Sequence, residues 1–152
     1  MPNTELIPLL EIDAQLAPIV SVGNTPGGEI RLIPITGGTF QGEALRGEIL
    51  PGGADWQDVR SDKALEISAR YLLRTDQNEL LEVRSVGLRA APPEILEKLG
   101  RGEPVPMESY YFRTAVRFRT SAQRLQRLND VLAISYGERR KHSVHLYVYE
   151  VP

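Results

Sequence analysis

The chain of 152 residues is 41% hydrophobic and 25% charged, the mix of an ordinary globular domain. One domain spanning 1–152 is expected, long enough to bury a core without covalent staples. Its 18 basic and 20 acidic side chains leave a formal charge of −2, so neither nucleic acid nor an anionic membrane is expected as a partner.

The absence of cysteine excludes disulfides, Cys-ligated zinc and thiol nucleophiles. The opening stretch lacks the basic start and apolar run of a signal peptide, being interrupted by Glu5, Glu11 and Asp13. A cytoplasmic location is expected. No run approaches the roughly 18 apolar residues of a membrane-spanning helix.

Short β-type runs separated by turn residues fill the chain. A first strand is expected over Leu6–Leu16, then a turn at Asn24-Thr25-Pro26-Gly27-Gly28, where Pro sets φ and Gly accepts positive φ. Glu29–Ile35 alternates, and Gly37-Gly38 reads as a bend or bulge that lets a sheet curl. Phe40–Ile49 continues as strand, and Pro51-Gly52-Gly53 reads as a turn leading into Asp55-Trp56. Leu65–Leu73 and Leu80–Leu88 alternate on either side of Thr75-Asp76-Gln77-Asn78, predicting a hairpin.

Pro92–Leu99 is expected to be a short helix that ends at Gly100. Tyr110–Thr120 is a two-faced strand, followed by a short helix over Ser121–Leu128. Val131–Tyr136 and Val144–Val151 are the last strands, joined by a charged tip over Gly137–His142. The total is an all-β fold, a small antiparallel barrel of about eight strands with one or two short helices. Glycine-bent strands favour closure, which removes exposed edges.

None of the usual catalytic signatures occurs. The Gly-Gly pairs open no helix, as a phosphate cradle requires, and His142 and His145 lie three apart on a strand, hence on opposite faces. No metal and no cofactor are expected.

Asp55 beside the only tryptophan reads as a carboxylate held at a barrel rim with Trp56 as a wall, or as a turn acceptor next to a core plug. Arg70 and Arg113 sit mid-strand among apolar and aromatic residues. Facing inward they would mark a planar oxygen ligand, and facing outward they would pair with Glu66 or Glu82. Tyr111 shares a strand face with Arg113, and Asn129 is either a ligand-facing amide or a cap. Several strands look apolar on both faces, so a homo-oligomer, dimer or trimer, is expected.

Three groups of residues carry a family resemblance. Gly38-Thr39-Phe40-Gln41-Gly42 is followed by Leu50-Pro51-Gly52-Gly53-Ala54-Asp55-Trp56; then come Ala69-Arg70-Tyr71-Leu72-Leu73-Arg74-Thr75-Asp76 and Tyr110-Tyr111-Phe112-Arg113-Thr114 with Leu128-Asn129. Together they resemble the uncharacterised bacterial and fungal family known as domain of unknown function 3237, or uncharacterised protein family 0311. The resemblance implies a barrel of the allene oxide cyclase and dirigent kind, lipocalin-like in shape, enclosing a cavity for small hydrophobic molecules.

The expectation is a cavity protein that binds, and isomerises or cyclises without a cofactor, a small partly apolar molecule bearing a carbonyl or carboxylate. Asp55 and Tyr111 would move the proton, while Trp56, Arg70, Arg113 and Asn129 would hold the ligand. Two readings stand beside it: a non-catalytic binding module, and a structural oligomer with no ligand. A cavity of several hundred Å³ (on the order of 300 or more) would favour the first two, and a filled interior the third.

Overall fold

The computed structural model describes all residues from Met1 to Pro152. Its elements are β1 (Ile7–Leu16), β2 (Val20–Thr25), β3 (Gly28–Gly42), β4 (Arg46–Ile49), β5 (Gly53–Val59), β6 (Leu65–Thr75), β7 (Leu80–Ala90), α1 (Pro93–Gly100), β8 (Tyr111–Thr120), β9 (Leu132–Arg139) and β10 (Ser143–Val151). Short 3₁₀ segments cover Met107–Ser109 and Gln123–Asp130.

These ten strands occupy eight positions in one closed antiparallel barrel. β1 and β2 lie end to end against β3, and the ladder passes through the gap by the bond from Ala17 N–H to Pro34 O. β4 and β5 likewise lie end to end, both flanked by β3 and β6. The meander closes where β1 pairs β10, from Ile7 opposite Glu150 to Gln15 opposite Ser143.

Pro51-Gly52 forms the expected turn, but the chain does not reverse at it. It is a bulge inside one long strand: the five steps from Ile49 to Ala54 stand opposite the three from Leu73 to Arg70. Gly52 takes φ +103, a conformation open to glycine, and the extra residues sharpen the local twist. Phe40–Ile49 is corrected in the opposite sense, since the chain turns between Gly42 and Arg46. In the hairpin between β6 and β7 the left-handed residue is Asn78 at φ 60, and asparagine tolerates that region best after glycine. The expected helix over Ser121–Leu128 is a 3₁₀ segment shifted to Gln123–Asp130.

Alternation divides every strand into an inner and an outer face. At one end of the interior, Leu10, Ile12, Phe40, Leu81, Val83 and Phe118 pack into a continuous apolar core. Leu125 and Leu128 of the 3₁₀ segment close that end. Toward the other end, below α1, the inner positions turn polar: Asp55 and Gln57 on β5, Arg89 on β7, Thr114 on β8 and Arg139 on β9.

Candidate functional site

The polar half of the barrel encloses a cavity whose lining includes Asp55, Gln57, Tyr71, Arg89, Thr114 and Arg139, with apolar walls such as Phe112 and Leu146. A water centre can occupy about 30 Å³ of it. That is room for about two waters at roughly 10–15 Å³ each. The cavity as it stands admits the polar head of a small molecule; a larger ligand has to displace side chains.

Asp55 accepts a hydrogen bond at Oδ2 from Gln57 Nε2 at 2.9 Å. Its Oδ1 is shut off from solvent with no hydrogen-bond partner. Burial pushes the carboxyl up to about 6, against the opposing pull of the Gln57 bond and of the Arg89 and Arg139 charges. At neutral pH the carboxylate form predominates, with a proton affinity above that of an ordinary aspartate.

Arg89 is buried, with Nε unpartnered and its guanidinium 5.9 Å from the centre of the Phe112 ring. Burial brings it down to about 10, with the neighbouring positive charge of Arg139 adding to the effect. Arg139 donates from Nη1 to the carbonyls of Arg140 and Ser143, and its own N–H is held by the Tyr110 hydroxyl at 2.9 Å. Burial lowers it too. Neither arginine forms an ion pair with a carboxylate. The Tyr71 hydroxyl is also buried and unpartnered, and burial holds its pKa well above the ordinary phenol value.

A row of hydroxyls crosses three adjacent strands. Ser85 donates to Thr114 at 2.6 Å, and Thr114 and Ser135 share a further bond at 2.6 Å. Ser85 and Thr114 border the cavity.

The expected convergence of Asp55, Trp56, Arg70, Tyr111 and Arg113 on the interior does not occur. Asp55 faces inward, so Trp56, next on the same strand, faces outward and is 52% exposed. Ala69 and Tyr71 point inward, which places Arg70 outside, where its Nη2 meets Glu82 at 2.6 Å. Phe112 and Thr114 take the inner face of β8, so Tyr111 and Arg113 lie outside. Arg113 stacks 3.9 Å from the Tyr136 ring centre and donates to Phe112 O. Asn129 ties the 3₁₀ segment to Thr120, accepting from its N–H at 2.9 Å and donating to its carbonyl at 3.0 Å.

Sequence reasoning missed Gln57, Tyr71, Arg89 and Arg139. The available signal was phase: Arg89 continues the inward series Leu81, Val83, Ser85, Gly87, and Arg139 continues Ala133, Ser135, Gly137. Assigning Gly137–His142 to a hairpin tip hid Arg139, because β9 runs on to Arg139 itself.

Comparison with known proteins places this barrel in a family. The pattern described as "Protein of unknown function (DUF3237)" matches residues 4–151, and the chain belongs to that family. A UPF0311 protein of Rhodopseudomonas palustris is 37% identical over 150 residues, covering 99% of this chain and 98% of the relative. The crystal structure of that organism's conserved protein of unknown function superposes with a TM-score of 0.94, covering 100% of this chain and 99% of the other. A β-barrel-like protein from Acinetobacter baumannii, 37% identical, gives 0.87 over 100% and 98%. An enzyme from Penicillium herquei shares the fold at 19% identity, with a TM-score of 0.73 over 100% and 98%.

Proposed function

We propose that the protein binds a small, partly apolar organic molecule through a carbonyl or carboxylate oxygen and moves a proton on it without a cofactor. The observation that carries this reading is the buried guanidinium of Arg89, which shares a cavity with the partly buried Arg139 and with the Asp55 carboxyl, while neither arginine forms an ion pair with a carboxylate. Buried guanidinium groups are costly unless an anion or strong acceptor meets them. The interior, at about 30 Å³, falls far short of the several hundred Å³ expected of a ligand cavity, so its size by itself favours the structural reading; the polar Asp55–Arg89 cluster is what supports a ligand.

In this scheme Asp55, as carboxylate, takes a proton from the carbon next to the ligand carbonyl. The negative charge passes to the carbonyl oxygen, held by Arg89 and Arg139 with Tyr71 as a further donor. Asp55 then returns the proton to another atom of the same molecule, so that an isomer leaves and no co-reactant is consumed. The enzymatic Penicillium herquei relative is compatible with such chemistry on this fold but, at its identity, speaks for the fold alone.

The proposal includes a homo-oligomer. A cross-strand row on the outer surface, Val20, Leu32, Trp56, Ser68, Val86 and Ala115, is apolar at every position but Ser68. Val20, Trp56 and Val86 are each more than half exposed. Such a band suits contact with another copy.

The test is incubation of the protein with a small-molecule cell extract in D₂O, followed by mass spectrometry. A compound that gains one deuterium or changes isomer with the wild type, and not with Asp55→Asn, is expected. An extract that the wild type leaves unaltered contradicts the reading.

A further inference from the structure

The two ends of the barrel are closed in different ways. At the apolar end the 3₁₀ segment Gln123–Asp130 is stapled to the rim. Arg124 reaches Glu79 at 2.6 Å and the Ala44 carbonyl at 2.8 Å, and Arg127 reaches Glu150 at 2.9 Å. Leu125 and Leu128 are buried beneath it, and Asn129 locks its end to Thr120.

At the polar end α1 lies over the opening with far fewer anchors. Leu99 is its only buried residue, Ile95 packs partly buried against the core, and no side chain caps its N-terminus. The ion pair nearest to it, Arg101 with Glu103, stays within the following loop, and no side chain of α1 is hydrogen-bonded to a strand. An element with few buried contacts and no polar ties opens at low free-energy cost.

Between α1 and the rim runs a groove of about 400 Å³, by the same measure as the cavity, lined by Arg31, Val59, Lys63, Arg89, Leu96 and Glu97 among others. Arg89 is the one residue that borders both groove and interior cavity. It is the wall between them. Arg31 is already engaged by Glu29 at 2.9 Å, which leaves Lys63 and Arg89 as the cations free to attract a ligand, against the single carboxylate of Glu97.

We propose that this groove is the entrance to the interior site and that it selects small organic anions. A carboxylate meets Lys63 first and is taken over by Arg89, while α1 lifts to let the apolar remainder pass. The inference rests on the binding reading above and adds to it the charge of the ligand and its route.

The cysteine-free chain makes a direct test possible. Val59→Cys and Leu96→Cys, on opposite sides of the groove, are bridged with dibromobimane in the full-length protein. The probes are 4-fluorobenzoate and its neutral counterpart 4-fluorobenzamide, with affinity and exchange rate read by ¹⁹F NMR and location read from the cavity resonances of Thr114 and Tyr71. The wild type is expected to bind the benzoate at least tenfold more tightly than the amide. Arg89→Met removes that preference. Lys63→Glu slows benzoate entry several-fold and leaves the amide unchanged. The bridge slows exchange of both probes at least tenfold relative to the unbridged double variant.

Equal affinity for the two probes overturns the anion selectivity. Unchanged exchange in the bridged protein, with cavity resonances still shifting, overturns the entrance and leaves the interior site standing. Cavity resonances that neither probe moves overturn both.

Discussion

Asp55 and Arg89 share one buried cavity, each feels the other's charge, and yet they form no ion pair. Each keeps an atom without a hydrogen-bond partner, Oδ1 on the one and Nε on the other.

The carboxyl of Asp55 makes the protein's stability depend on pH. Its folded pKa of about 6 lies above the ordinary aspartate value, so the native state binds this proton more tightly than the unfolded chain. Ionising Asp55 therefore lowers stability as pH rises from about 4 to about 6, by at most about 3 kcal/mol. Asp55→Asn keeps an acceptor for Gln57 and removes this cost. Denaturant unfolding at pH 8 is expected to show Asp55→Asn more stable than wild type, with the difference vanishing near pH 4.

Glu82 acts with the opposite sign. Arg119, and after it Arg70, hold it down to about 2 on the outer wall, so the stabilisation is present above the unfolded value and is lost as pH falls through about 2. Both arginines are mostly exposed, which screens the pairs to about 1 kcal/mol or less each. Glu82→Gln is expected to cost little at pH 7 and less still at pH 2, as measured by thermal unfolding at the two pH values.

The buried hydroxyl row predicts a non-additive mutant series. Thr114→Val strands Ser85 and Ser135 without their partner and is expected to cost about 1–3 kcal/mol. Replacing all three residues by Ser85→Ala, Thr114→Val and Ser135→Ala removes the stranded groups, so the triple variant should lose less than the sum of the single variants. Urea midpoints of the series check this.

Gly137 allows the Phe112 ring to lie against the backbone. A Cβ there would stand 2.6 Å from ring atoms. Gly137→Ala is expected to destabilise by about 1–3 kcal/mol through overpacking. It should also shift the Phe112 and Arg89 resonances, because the ring carries the guanidinium.

The barrel was legible in the sequence because its devices are local. Alternation in Leu65–Leu73, the Thr75–Asn78 turn and the prolines that open the helix at Pro93 each read correctly in isolation. The turn at Pro51-Gly52 was legible but its setting was not, since the same residues make a hairpin turn or a bulge according to what lies on either side. The site was legible only at Asp55. Trp56, Arg70, Tyr111 and Arg113 drew attention as unusual residue types, but the alternation that defines each strand turns all of them outward. Arg89 and Arg139 sit at strand ends, where charge looks ordinary in sequence and becomes an interior feature only once the strand is known to continue to that residue.

The most direct test of the interior site is mass spectrometry of small molecules released from protein purified from its own cells, wild type alongside Arg89→Met and Arg139→Met. The account predicts an organic molecule with a carbonyl or carboxylate retained by the wild type and lost from both variants, with the circular dichroism of all three proteins the same. Equal retention by the wild type and the folded variants, or a wild type that releases nothing, would contradict it.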